Sequence, residues 1–342
     1  MRVTLSLLAV GLLALVSAMA GETSAAPNAS GSSIAYLHFQ RTASVDSVGV
    51  YVMEVDGSNE RLVTKGDWFA WSPTGSRLLV HRFDRGRHSI YVVNRDGSGL
   101  IRVVSSAENP TWAPDEMHIA FRDIADADDA GIHTVRLDGT KETRLTRPPE
   151  FGSDNTPAWS PNGRLIAFER WTGDVFQLAV VAPTGQGLRV LVECINACGA
   201  PRWSPSGRRL AFADDGEIWI VNPDGRGLAN LTNSPKQLEE NPSWSPKGRF
   251  LAFESSIRGV SRRRSNPEIH TVRVDGRRHR NITHQPGFDA YPDWSPDGRS
   301  IAFSSIRDGN IDVWIITPTG KNARNLTNDD EGWQNLSARS SR

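Results

Sequence analysis

Charge of one sign, cysteine, lysine and long apolar runs are all scarce in this sequence. Its 342 residues carry 39 Lys and Arg against 39 Asp and Glu, so no global field draws the chain to nucleic acid or to an anionic membrane. Only five of the cations are Lys (Lys65, Lys141, Lys236, Lys247 and Lys321), and no function follows from that Arg weighting. The longest apolar run, Val3 to Val16, is 14 residues, short of the roughly 20 that a membrane helix needs. The two cysteines, Cys194 and Cys198, are expected to close a small disulfide loop in an oxidising compartment, worth roughly 2 kcal/mol. A metal site there would need two further ligands, and the loop offers only Glu193. No Gly-x-Ser-x-Gly pentapeptide occurs, which excludes the nucleophile elbow of an α/β-hydrolase.

What the N-terminus does hold is an export pattern. Arg2 precedes the apolar run, and Ala18-Met19-Ala20 supplies the small-x-small step before a cleavage site. Residues 1–20 are therefore expected to be a signal peptide, and 21–33, rich in Ala, Ser, Gly and Pro, a flexible leader. No Cys follows the run, so no lipid anchor is expected at the new N-terminus. The mature chain should be soluble and periplasmic or secreted, with no membrane span.

The 11 Trp are the anomaly of the composition, and they are periodic. Trp-(Ser/Ala)-Pro recurs at Trp71, Trp112, Trp159, Trp203, Trp244 and Trp294, at spacings of 41, 47, 44, 41 and 50 residues. A Gly follows two after the Pro in five copies, and Glu116 stands there in the second. Pro fixes φ at the first central turn position, and Gly then takes the left-handed conformation that closes a hairpin. An apolar triplet with a small centre comes next, as in Ile166-Ala167-Phe168 and Leu251-Ala252-Phe253. Alternation puts Ala on one face of that strand, where a stacked neighbour leaves little room. A third strand (Ile218-Trp219-Ile220 is one), a second Gly turn such as Asp224-Gly225 and a fourth strand such as Asn230-Leu231-Thr232 complete each unit.

Four strands per unit without helical periodicity predict an all-β fold, a β-propeller of four-stranded blades. Residues 34–63 form a partial unit lacking its first strand, and Trp333 near the C-terminus stands where an isolated first strand would fall. Joining both ends in one blade removes an open edge, so seven blades are expected over residues 34–336, with 337–342 a tail. Six blades plus a partial unit is the alternative. The repeat Trp residues are read as structural. A buried Trp removes about 150–250 Å² from water, a gross gain of roughly 4–6 kcal/mol.

The segment Pro292-Asp293-Trp294-Ser295-Pro296-Asp297-Gly298-Arg299-Ser300-Ile301-Ala302-Phe303 closely resembles the TolB-type propeller repeat, a WD-repeat-like unit, and the likeness runs over residues 34–336. That resemblance implies a periplasmic setting and binding to envelope partners; TolB itself binds a peptidoglycan-associated lipoprotein. TolB also carries an α/β domain ahead of its propeller, and here only the export segment and leader are expected before the first strand. A Tol–Pal role is therefore not carried over.

Two readings of function follow. A non-catalytic propeller that binds a protein or envelope partner is the first, and it is expected to be a monomer. A propeller enzyme acting on carbohydrate, with His, Arg and acids converging on one rim, is the alternative. The eight His are dispersed along the sequence, with His133 and His270 at equivalent places in third strands. Asp123, Asp126, Asp128 and Asp129 crowd one loop and offer oxygen ligands suited to Ca²⁺, but without EF-hand spacing, so no cofactor is expected. Arg258, Arg262, Arg263 and Arg264, with Arg277, Arg278 and Arg280, are expected to make a positive patch suited to an acidic partner.

Overall fold

The serine of the Trp-Ser-Pro-x-Gly motif closes its own turn. In five repeats its Oγ accepts the backbone N–H five residues on: Arg77 to Ser72 at 3.2 Å, Leu165 to Ser160 at 3.0 Å, Arg209 to Ser204 at 3.1 Å, and Phe250 to Ser245 and Ser300 to Ser295 at 2.9 Å. The motif is thus a cap that joins first strand to second. In the second repeat Ala113 has no hydroxyl, and Glu116 adopts φ 52° where the others have Gly. Its side chain compensates by reaching the neighbouring blade. Thr74 N–H donates to Glu116 Oε1 at 2.5 Å, and Arg77 Nη2 lies 3.3 Å from Oε2.

The computed structural model describes residues 16–18, 33–41, 46–84, 86–125, 130–260, 266–307 and 311–327. Its strands form seven antiparallel four-stranded sheets, each a meander in chain order, and the described residues hold no helix. The first strands, such as Trp68–Trp71, Ala107–Trp112, Ser153–Trp159, Gln237–Trp244 and Asp289–Trp294, touch one another around the ring and so are innermost.

Apolar cores lie between blades. The small residue of each second strand faces the next blade, as the alternation requires. Ala167 of blade 4 packs with Leu210 and Phe212 of blade 5, Ala211 with Leu251 and Phe253 of blade 6, and Ala252 with Ile301 and Phe303 of blade 7. The circle completes itself, because Ala302 and Val313 of blade 7 pack with Ile34, Tyr36 and Met53 of blade 1. Trp indoles fasten successive first strands. Nε1 of Trp112 donates to Ala70 O, that of Trp203 to Ala158 O and that of Trp244 to Arg202 O, at 2.9–3.1 Å.

The closing blade departs from expectation. Beside Ile34–Tyr36 lies Val16–Ala18, with Val16 opposite Tyr36 and Ala18 opposite Ile34. Trp333, expected in that slot, lies outside the described residues. The slot demands only an extended segment with backbone donors and acceptors, and Val16–Ala18 meets it. These three residues fall within the expected signal peptide, so cleavage after Ala20 would reopen the edge. The seam with blade 7 does not depend on that strand alone. Arg324 donates to Val55 O at 3.0 Å and Asp56 O at 3.2 Å, and Gly57 lies against Leu326 O.

Candidate functional site

The meander gives the ring two unlike rims. One carries the first-to-second and third-to-fourth turns. There Gly163 sits against Pro114, Gly207 against Pro161, Gly248 against Pro205 and Gly298 against Pro246, an unbroken chain of near-identical turns. The other carries the second-to-third loops and the blade-to-blade connections. Its loops run from two residues in blade 5, between Leu210–Asp214 and Glu217–Val221, to ten in blade 6, between Phe250–Ile257 and Glu268–Arg273. Repeat residues specify the first rim, and the second is where blades differ.

On the loop rim the first strands of blades 2, 3, 4, 6 and 7 have an acid at or near their start, and in blades 3, 4 and 7 an arginine at the end of the second strand answers it. Arg122 Nη1 lies 3.2 Å from Glu108 Oε2. Arg170 Nε and Nη2 donate to the two oxygens of Asp154 at 2.7 and 2.8 Å. In blade 7 Ser305 Oγ and Arg307 Nη2 donate to Asp289 at 2.5 and 2.7 Å; burial raises this carboxyl, and Arg307 opposes the shift. Blade 5 inverts the arrangement. Asp214 stands at the end of the second strand, and the amides of Ile195 and Asn196, in the loop closed by the Cys194–Cys198 disulfide, donate to it at 3.0–3.2 Å.

Blades 2 and 3 extend this pattern into a connected chain. His81 Nδ1 lies 2.5 Å from Asp67 Oδ1, and its Nε2 lies 3.0 Å from His88 Nδ1. His88 Nδ1 is in turn 3.4 Å from Glu108 Oε1. Phe83, its ring 4.8 Å from His88, stands beside the chain and is 61% exposed. Such a string of acid and imidazole groups can orient a proton or hold a polar ligand.

Other sequence-picked residues distribute as follows. Arg258 lies on the loop rim, where it pairs with Asp215 at 3.2 Å. Arg277, Arg278 and Arg280 follow the third strand Glu268–Arg273, on the turn rim. Six strand residues at about 3.3 Å each set them roughly 20 Å away, so the described arginines do not form one patch; Arg262, Arg263 and Arg264 lie outside the described residues. Of the acidic loop only Asp123 is described. It faces His133 Nε2 at 3.8 Å, while Glu142 Oε1 lies 2.9 Å from Nδ1. These three groups approach closely enough to hold an ion, but both ring nitrogens are already turned toward carboxylates. The histidines are less dispersed than their sequence positions imply. His270 Nδ1 meets His279 Nε2 at 2.9 Å against Phe253. Burial, then the neighbouring His279 and His284, pushes His270 down to about 4.

The acids on the first strands carry no motif of their own in the sequence, although a positional signal exists. Asp67, Glu108, Asp154, Glu239 and Asp289 stand four or five residues before the motif Trp in five of the six repeats. A bulge before Pro, where Asn109, Thr156, Asn241 and Tyr291 adopt φ between 47° and 56°, puts Asp154, Glu239 and Asp289 on one rung and leaves Glu108 one rung nearer its Trp.

Comparison with known proteins agrees with this architecture. A family profile described as the TolB beta propeller domain matches residues 18–197 and 137–262. The Tol-Pal system protein TolB of Gluconobacter oxydans is 26% identical over 199 residues, 44% of this chain and 44% of that protein. The matches span less than half the length of the curated relatives. Among solved structures, the β-propeller domain of the Trilobed protease from Pyrococcus furiosus superposes with TM-score 0.68 at 9% identity, covering 94% of this chain and 99% of that one. An oligogalacturonate lyase in complex with manganese gives 0.65 at 14% identity, covering 90% and 88%. At such identities these last two likenesses are of fold.

Proposed function

The chain belongs to the TolB β-propeller domain family, and from that premise we propose that it acts outside the cytoplasm as a non-catalytic binding propeller whose loop rim receives a protein partner. One observation carries this reading. The three most exposed large apolar side chains among the described residues, Phe151 (87%), Ile195 (72%) and Phe83 (61%), all stand on the loop rim. Exposed aromatic and aliphatic groups ringed by charge are what a partner's apolar anchors need. Phe151 also holds φ 62°, a backbone conformation costly for a bulky residue and kept where the surroundings impose it. The Gluconobacter relative is a Tol-Pal system protein, which supports a protein partner in the envelope. The test is a Phe83→Ser, Phe151→Ser, Ile195→Ser variant. Its Tm should stay near wild type while the partner recovered after cross-linking is lost; equal recovery refutes the reading.

The Asp67–His81–His88 chain favours a second reading, a propeller enzyme acting on carbohydrate. An Asp-oriented imidazole is the usual form of a general base. Turnover of a polyuronate that disappears in His88→Ala, with folding retained, would establish it.

A further inference from the structure

The turn rim repeats one backbone from blade to blade but is divided in charge. In blades 4–7 the first-to-second turns are 160–165, 204–209, 245–250 and 295–300, and the third-to-fourth turns are 182–189, 222–229, 273–280 and 317–324. These segments hold fourteen Arg and Lys against three Asp, an excess of eleven. The turns described in blades 1–3 (54–61, 72–77, 94–101, 113–118 and 136–143) hold five cations against eight acids. Every residue of the blade 4–7 turns is described. The residues outside the described ones hold eight acids in all, too few to cancel that excess wherever they lie.

Pairing follows the same division. In blades 1–3 Arg77 meets Glu116 at 3.3 Å, Arg95 meets Glu54 at 2.7 Å and Arg136 meets Asp138 at 3.6 Å. In blades 4–7 Arg273 lies 3.4 Å from Asp275, and Arg299 lies 3.8 Å from Asp297 with its side chain 87% exposed. On these turns that leaves one carboxylate, Asp224, for the other twelve cations.

The repeat arranges them. The residue after the motif Gly is Arg164, Arg208, Arg249 and Arg299 in blades 4–7, where blades 2 and 3 have Ser76 and Met117. All four arginines are exposed. Gly207 sits against Pro161, Gly248 against Pro205 and Gly298 against Pro246, so successive turns touch. The four therefore form an arc on the innermost hairpins, and Arg226, Arg277, Arg278 and Lys321 stand outside it on the third-to-fourth turns. Like charges gathered on one sector build a local potential even on a neutral chain.

The chemistry of the arc selects its ligand. Guanidinium groups hold carboxylate and phosphate oxygens through paired N–H donors. One exposed pair contributes little, so the arc favours a polymer that meets several arginines at once. A folded protein needs apolar anchors at the centre of its contact. The first-to-second turns of blades 4–7 present none of the exposed large apolar side chains, and Leu188 and Leu228 stand further out. No exposed aromatic ring stands on those turns for a nucleobase to stack on.

We propose that the turn rim of blades 4–7 binds an anionic polysaccharide, whose carboxylate or phosphate groups span Arg164, Arg208, Arg249 and Arg299. The two rims are opposite faces of the ring, so this contact is separate from the protein contact at the loop rim and compatible with it.

The test is calorimetric titration of the full chain with carboxymethyl-dextran, with neutral dextran as the uncharged match. One variant carries Arg164→Ser, Arg208→Ser, Arg249→Ser and Arg299→Ser. A second removes the same charge from exposed positions on the loop rim: Lys65→Ser, Arg87→Ser, Arg147→Ser and Lys236→Ser. The wild type should bind carboxymethyl-dextran, weaken as NaCl rises, and ignore neutral dextran. The turn-rim variant should bind at least tenfold more weakly with Tm near wild type, and the loop-rim variant within twofold of wild type. Equal weakening in both variants would overturn the proposal, because net charge alone would then account for binding. So would an affinity unmoved by salt. Tighter binding per charged group to phosphatidylglycerol vesicles or to polyglutamate would also overturn it, making the surface a membrane or an acidic-protein contact.

Discussion

Asp154 and Arg170 stand directly opposite on the first two strands of blade 4, joined by two donors at 2.7 and 2.8 Å, with the carboxylate wholly inaccessible and the guanidinium nearly so. The pair spans the loop-rim end of the blade, and breaking it strands a buried charge. Asp154→Ala should cost about 3–5 kcal/mol, whereas Asp154→Leu with Arg170→Met should cost far less. Urea unfolding of the single and double variants decides this, and equal losses would mean that the ion pair has no special standing.

The repeat Trp residues are predicted to act as inter-blade fasteners. Trp203→Ala removes an indole packed against blade 4 and its bond to Ala158 O, and should cost about 3–5 kcal/mol. Trp203→Phe keeps most of the apolar surface and loses only the donor, worth about 1 kcal/mol. Thermal melts should rank wild type above Phe above Ala.

Ring closure is predicted to rest on the blade 7–blade 1 seam. Gly57 and Gly259 both hold left-handed φ, 87° and 79°, but a Cβ on Gly57 would lie 3.2 Å from Leu326 O, while Gly259 faces open space. Gly57→Ala should therefore lower Tm more than Gly259→Ala, which carries the backbone strain alone. Equal shifts would show that the seam contributes nothing beyond strain. Removing residues 1–20 takes away Val16–Ala18; with Arg324 and the Ala302–Met53 core still in place, the truncated chain is expected to remain folded with a lowered Tm, as circular dichroism would show.

The Glu239 carboxyl predicts a pH dependence. Its folded value, raised to about 7 chiefly by burial, lies above the ordinary 4.5. The associated stability is therefore fully present below about pH 4.5 and lost as pH rises to about 7, at most about 3 kcal/mol. His270 acts in the opposite sense. Held down to about 4 by burial and by His279 and His284, it withdraws stability as pH falls from about 6.5 toward 4. Glu239→Gln should remove the first slope and leave the second. A wild-type-like profile in that variant would contradict the assignment.

Much of this architecture is legible from residues alone, because each Trp-Ser-Pro-x-Gly turn states its geometry locally. Pro, Ser and Gly each have a single job within six residues, and five of the six copies repeat it. The rims are harder to read. Arg258 and Arg277 look like neighbours in sequence, yet the strand between them carries the chain from one rim to the other. Asp67 and His81 look unrelated and meet at 2.5 Å, because a hairpin folds them together. Blade closure misleads for a related reason: an edge strand needs only backbone groups, so Val16–Ala18 fills a place for which Trp333 carries the better side-chain signature.

The central claim, that the loop rim is the contact surface, is tested most directly by a photo-crosslinking residue placed at Phe151 on the loop rim and, separately, at Met117 on the turn rim, in cells that export the protein. Met117 is half exposed and so equally able to react. The account predicts a discrete protein adduct from position 151 and none from 117. An adduct from 117 alone, or from both equally, would contradict it.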